Sequence, residues 1–96
     1  MRALLLAAAL FAAAPALAQA PISSAVFTDA TRTPTVRTII DGATWRCDGG
    51  TCTATGGANQ PATRACRRLV ARFGPVSAFN YKGVALTAQQ LAACNA

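Results

Sequence analysis

Between residues 62 and 73 the apolar positions fall at Ala62, Ala65, Cys66, Leu69, Val70 and Phe73. At about 100° per residue this i, i+3, i+4, i+7 spacing fills one arc of a helix, so the segment is expected to be an amphipathic α-helix. Asn59 reads as its N-cap, Pro61 suits the first turn, and Gly74-Pro75 is a C-terminal stop. The opposite arc carries Arg64, Arg67, Arg68 and Arg72. Elsewhere the pattern changes to short runs of β-branched and aromatic residues. Val26, Phe27 and Thr28 suit a short strand within 25–31, and 35–40 predicts another. Asp41-Gly42 then forms a two-residue hairpin turn leading back through Ala43, Thr44 and Trp45. Residues 76–79 read as a strand, 80–83 as a turn and 84–86 as the return. Thr87-Ala88-Gln89-Gln90 has the form of a capping box that opens a terminal helix through Leu91 to Cys94.

A second hairpin lies in Trp45-Arg46-Cys47-Asp48-Gly49-Gly50-Thr51-Cys52. With Gly49-Gly50 as the turn, Asp48 faces Thr51 and Cys47 faces Cys52 in a non-hydrogen-bonded pair, whose Cα atoms lie ~4.5 Å apart. That distance is inside the disulfide range of ~4.4–6.8 Å. A turn at Asp48-Gly49 would set Cys47 opposite Gly50 instead, so bridge and turn support each other. Trp45 then shares a sheet face with Cys47, and Cys52 with Ala54, which makes that face the inner one.

The N-terminus has the pattern of a secretion signal. Arg2 precedes an apolar run over 3–14, and small residues follow Pro15. The run is shorter than the ~20 residues needed to span a bilayer. Cleavage after Ala18 is expected, because cleavage after Ala20 would leave Pro21 beside the scissile bond. The signal peptide is thus 1–18, and 19–96 is a single small domain with a poorly ordered lead-in at 19–24. No cysteine lies at the junction to carry a lipid. The 53% hydrophobic content is inflated by the signal and does not argue for a membrane protein. A mature chain of this size has a core worth only ~3–5 kcal/mol, so covalent staples are expected.

The four cysteines, Cys47, Cys52, Cys66 and Cys94, supply those staples and point to an oxidising compartment, the periplasm or the exterior. Four cysteines allow three pairings. Cys47–Cys52 with Cys66–Cys94 is favoured, because the first is geometrically natural and the second ties two helix faces together. The x4 spacing of Cys47 and Cys52 is not that of a redox C-x-x-C, and the four thiols match no zinc site, so no metal and no cofactor are expected.

Charge and residue inventory narrow the chemistry further. Without Arg2, eight Lys and Arg face only Asp29, Asp41 and Asp48, leaving +5. The chain contains no His and no Glu, so a Ser or Cys nucleophile lacks its usual base. Two of the three carboxylates have turn roles, Lys82 sits in a turn, and no glycine-rich phosphate loop is followed by a helix. The expectation is a protein that is not an enzyme. Arg64, Arg68 and Arg72 run at i, i+4, i+8 beside Arg67 with no acid on the helix, which makes them the candidate anion-binding residues. Partners of matching chemistry are anionic envelope lipid, an acidic polysaccharide or an acidic protein patch. Nucleic acid is disfavoured by compartment and by the lack of interleaved aromatics. The bland alternative is a solvated helix face that keeps a small basic protein soluble.

The W-x-C-x-G-x-x-C hairpin from Trp45, Pro61, the Cys66-x-x-Leu69 pair and the closing Leu91-x-x-Cys94-Asn95 resemble a small family of exported alphaproteobacterial proteins of unknown function. The resemblance covers 45–95, and it departs at Gln60, where the family pattern has a basic residue. It implies fold boundaries and no catalytic or ligand residue.

The reading is therefore a small α+β disulfide-stapled domain with antiparallel β-hairpins, one amphipathic helix and a short C-terminal helix. Its expected function is that of an exported, non-enzymatic structural or binding module of the envelope. The alternatives are a cationic-helix binder of anionic envelope lipid or polymer, or a small secreted inhibitor of an acidic enzyme presenting the Asp48-Gly49-Gly50-Thr51 loop.

Overall fold

The computed structural model describes residues 21–96. The expected signal peptide and residues 19 and 20 of the lead-in lie outside the described residues. The rest of that lead-in is not disordered: Ile22–Phe27 form strand β1. Ser23, Ala25 and Phe27 alternate into the core, and burial of that face provides the reason for the order.

A 3-10 turn at Ala30–Arg32 follows, capped by Asp29, whose carboxylate accepts from the Thr31 amide at 3.0 Å. Next come β2 (Thr38–Ile40), β3 (Ala43–Asp48) and β4 (Thr51–Gly56), then helix α1 (Ala62–Phe73). The chain closes with β5 (Val76–Tyr81), β6 (Val84–Ala85) and helix α2 (Ala88–Asn95). The strands form one antiparallel sheet in the order β2-β3-β4-β1-β5-β6. The expected hairpins are present, but β1 is what joins them. It sits between β4 and β5 and merges two meanders into one sheet.

Both disulfides form as expected. Cys47 pairs with Cys52 across β3 and β4 with Cα atoms 4.0 Å apart, and Cys66 of α1 joins Cys94 of α2 with Cα atoms 5.8 Å apart. Trp45, Cys52 and Ala54 lie on the buried face with Ala25, Phe27, Val76 and Phe79. Cys66, Leu69 and Phe73 of α1 close that core, and Phe27 meets Phe73 edge to face at 5.9 Å.

Helix ends agree with the sequence reading except at one cap. Thr87 and Gln90 make both bonds of the capping box that opens α2. Gly74, with φ 93°, ends α1 and donates its amide to the Val70 carbonyl. Asn59 does not cap α1. Pro61 occupies the N-cap position without a side-chain bond, and the Asn59 Oδ1 instead accepts from the Lys82 Nζ at 3.1 Å. Pro61 intervenes in sequence and, with ψ 141°, holds Asn59 away from the helix axis.

Asn95 shows why the terminal Leu-x-x-Cys-Asn run matters physically. Its side chain accepts from the Val76 amide at 2.9 Å and donates to the Val76 carbonyl at 2.8 Å, pinning α2 to β5 beside the Cys94 bridge. No helix among the described residues is long and apolar enough to cross a membrane.

Candidate functional site

The four arginines of α1 all lie on its exposed side, but the fold engages them unequally. The Arg68 Nε donates to the Asp41 Oδ2 at 2.8 Å, an ion pair between α1 and the β2–β3 turn. The helix has no acid of its own, so this counter-charge is invisible in the helical pattern. At Arg68 the fold supplies the acid that the helix itself lacks. The Arg67 Nε donates to the Ala93 carbonyl at 3.3 Å, meeting the negative end of α2. The Arg72 guanidinium lies 5.8 Å from the Phe73 ring centroid. The Arg64 side chain has no hydrogen bond or ion pair among the described residues and contributes through space to the field at Asp41. A shallow depression of about 240 Å³ lies between Ile40, Arg68, Ala71 and Arg72.

Asp41 organises this end of the molecule. Its φ of 50° is left-handed, a conformation Asp tolerates better than most residues. Its carbonyl accepts from the Ala58 amide at 2.9 Å and its carboxylate accepts from the Gln60 Nε2 at 3.2 Å. The Gln60 bond first, and the Arg68 bond second, hold the Asp41 carboxyl below its ordinary pKa. The Asp29 carboxyl is lowered likewise by its bonds to Thr31.

The remaining cations divide in the same way. The Lys82 Nζ donates to the Gly57 carbonyl and to Asn59, both at 3.1 Å, and lies 5.4 Å from the Tyr81 ring centroid. Arg32 packs on Gly74 at the C-terminal end of α1, so closely that a methyl group on Gly74 would fall 2.6 Å from the Arg32 Nη1. The Arg37 and Arg46 side chains make no hydrogen bond or ion pair among the described residues. They share the helix-free side of the sheet, where both line two adjoining depressions. Reading the helix alone missed this pair. The available signal was alternation: Thr44 and Arg46 on β3, like Thr51, Thr53 and Thr55 on β4, occupy the positions between inward residues.

The interior offers little room. A crevice of about 20 Å³ between Trp45, Leu69 and Phe79 has space for roughly one water. All four sulfurs are bonded in disulfides. The β3–β4 turn is held against the body, because the Gly49 carbonyl accepts from the Thr33 Oγ1 at 2.9 Å and the Gly50 carbonyl from the Phe27 amide at 2.8 Å.

A model of a family of unknown function, DUF8200, matches residues 5–96. The match takes in the first third of the chain, which the resemblance over 45–95 had left unassigned. No curated protein and no solved structure matches the chain.

Proposed function

We propose that this chain, which belongs to the DUF8200 family of unknown function, is an exported, non-enzymatic binding module of the cell envelope whose α1 face takes anionic lipid headgroups. The observation that carries the reading is the exposed Arg64 and Arg72 pair, on one helix face with no ion-pair partner among the described residues. At 1.5 Å per residue their eight-residue separation is about 12 Å, so the two guanidiniums address separate phosphates. Arg68 serves mainly to lock α1 onto the β2–β3 turn. The two disulfides suit an oxidising compartment and hence export. The non-enzymatic reading is supported by the commitment of Asp29 and Asp41 to bonds within the fold and of every cysteine to a bridge. The inhibitor alternative draws no support from the β3–β4 turn, whose carbonyls are bonded to the domain body rather than projecting.

The test is sedimentation with phosphatidylglycerol vesicles at low salt, with phosphatidylcholine vesicles as the neutral control. The wild type should bind the anionic vesicles and be released near 0.5 M salt, where screening is short-ranged. The R64Q/R72Q double variant should lose about tenfold in affinity, a change of ~1.4 kcal/mol. Unchanged binding by that variant would sink the reading. Export is tested by the intact mass of the envelope-fraction protein without reductant. The expected species begins at Gln19 and is about 4 Da lighter than its reduced form, the mass of the four hydrogens lost in two disulfides.

A further inference from the structure

Strand register builds a surface of hydroxyls, edged by the exposed Ile22, Val26 and Ile39, on the side of the sheet away from the helices. Arg46 lies opposite Thr53, and Thr53 opposite Ser24, in one cross-strand row. The adjacent row runs Ile39, Thr44, Thr55, Ile22. Hydroxyl groups therefore repeat at the strand spacing of ~4.8 Å in one direction and at the two-residue spacing of ~6.8 Å in the other. Arg37 and Arg46 border two adjoining depressions on this surface, one of about 480 Å³ over Thr44, Thr53 and Thr55 and one of about 430 Å³ toward Thr35 and Val36.

We infer that this face is a second binding surface, for an extended anionic polysaccharide, with Arg37 and Arg46 on its carboxylates and the threonine hydroxyls on its ring hydroxyls. The inference is independent of the α1 reading and uses none of the same side chains. Charge complementarity provides the first argument. Both guanidiniums lack an ion pair among the described residues; Asp48, two residues on from Arg46 along the same face, pairs with neither. A guanidinium without a carboxylate partner is a ready fork for one supplied by a ligand. Shape provides the second. The two depressions share the arginine pair, so a chain crossing both places successive units on either side of it, which a single small anion does not do.

The chemistry of the floor separates a polysaccharide from other polyanions. Threonine hydroxyls both donate and accept, as do the hydroxyls of a sugar, so each threonine matches a ring hydroxyl in either role. Among the described residues the face carries no aromatic side chain on which a nucleobase could stack.

Affinity electrophoresis of the full exported chain, disulfides intact, through gels containing polygalacturonate tests this. Dextran is the neutral control, and vesicle sedimentation runs in parallel. Polygalacturonate should retard the wild type and dextran should not. R37Q/R46Q should weaken the retardation at least about tenfold, while R64Q/R72Q changes it by less than about twofold. Thr53→Glu gives an independent variant, because the new carboxylate lies directly across from Arg46 and neutralises it in a cross-strand pair that favours folding. It should weaken retardation as strongly. Full retardation of the sheet variants, or none of the wild type, overturns the inference. So does a loss confined to vesicle binding in R37Q/R46Q, which would make this face a membrane surface.

Discussion

At the residue scale Asp41 has the widest reach. It closes the β2–β3 hairpin together with the equally left-handed Gly42, accepts from Gln60 and pairs with Arg68, so a turn, a loop and α1 meet on one side chain. Its turn role was readable from Asp-Gly, but its role as counter-ion to α1 was not, because 27 residues separate it from Arg68 in sequence. The lowered carboxyl pKa makes this contact pH-dependent. A group whose folded pKa lies below its unfolded value contributes its full stability above the ordinary value of 3.8 and loses it as pH falls through the lower folded pKa. Thermal melts should therefore fall in Tm as pH drops below about 4. Asp41→Asn, which tolerates the same backbone, should flatten that dependence in part, leaving the share that belongs to Asp29. An unaltered slope in the variant would show that Asp41 is not a contributor. Asn59 is the instructive miss at this scale: its sequence position suggested a helix cap, and Lys82 from another hairpin takes its oxygen.

At the element scale the two disulfides divide their work by loop length. Cys47–Cys52 spans a sequence separation of 5 and Cys66–Cys94 one of 28, which in the chain-entropy model correspond to about 2.2 and about 3.6 kcal/mol. Denaturant melts of C47A/C52A and C66A/C94A should rank in that order, with C66A/C94A the less stable. Its buried sulfurs also leave a cavity between the helices. Thr87→Ala removes the acceptor for the Gln90 amide and should cost about 1 kcal/mol in the same assay. Strand β1 is the element whose importance the sequence understated. Ser23, Ala25 and Phe27 are small or isolated apolar positions, yet β1 pairs on both edges. A buried charge there, Ala25→Asp, should abolish folding, seen as loss of the cooperative melt, because Ala25 faces Cys52 on one side and Phe79 on the other.

At the scale of the whole molecule the cations sort into two groups. Arg32, Arg67, Arg68 and Lys82 are engaged with carbonyls, a helix terminus or Asp41. Arg64 and Arg72 on the helix side, and Arg37 and Arg46 on the sheet side, carry no ion pair among the described residues and lie on opposite surfaces of the sheet and the helix layer packed on it. On the two proposals taken together, the domain is expected to bridge two anionic phases. Phosphatidylglycerol vesicles bearing the protein should cluster on addition of polygalacturonate, read as turbidity. Either double variant, R64Q/R72Q or R37Q/R46Q, should abolish the clustering. Clustering that survives in both would remove the case for two separate surfaces.

What short-range physics controls was legible in the order of residues. Both hairpin turns, the Cys47–Cys52 register, the bounds and apolar arc of α1 and the capping box of α2 depend on residues a few positions apart, whose periods and turn preferences are written in order. The sequence also pointed to the second disulfide, by placing Cys66 and Cys94 on the apolar faces of two helices. Tertiary structure decided which strand edges meet. The placement of β1 between β4 and β5 and the Arg68–Asp41 pair join segments far apart in the chain. Local periodicity assigns a residue to the inner or outer side of its strand. Only the packed sheet determines which outer residues become neighbours.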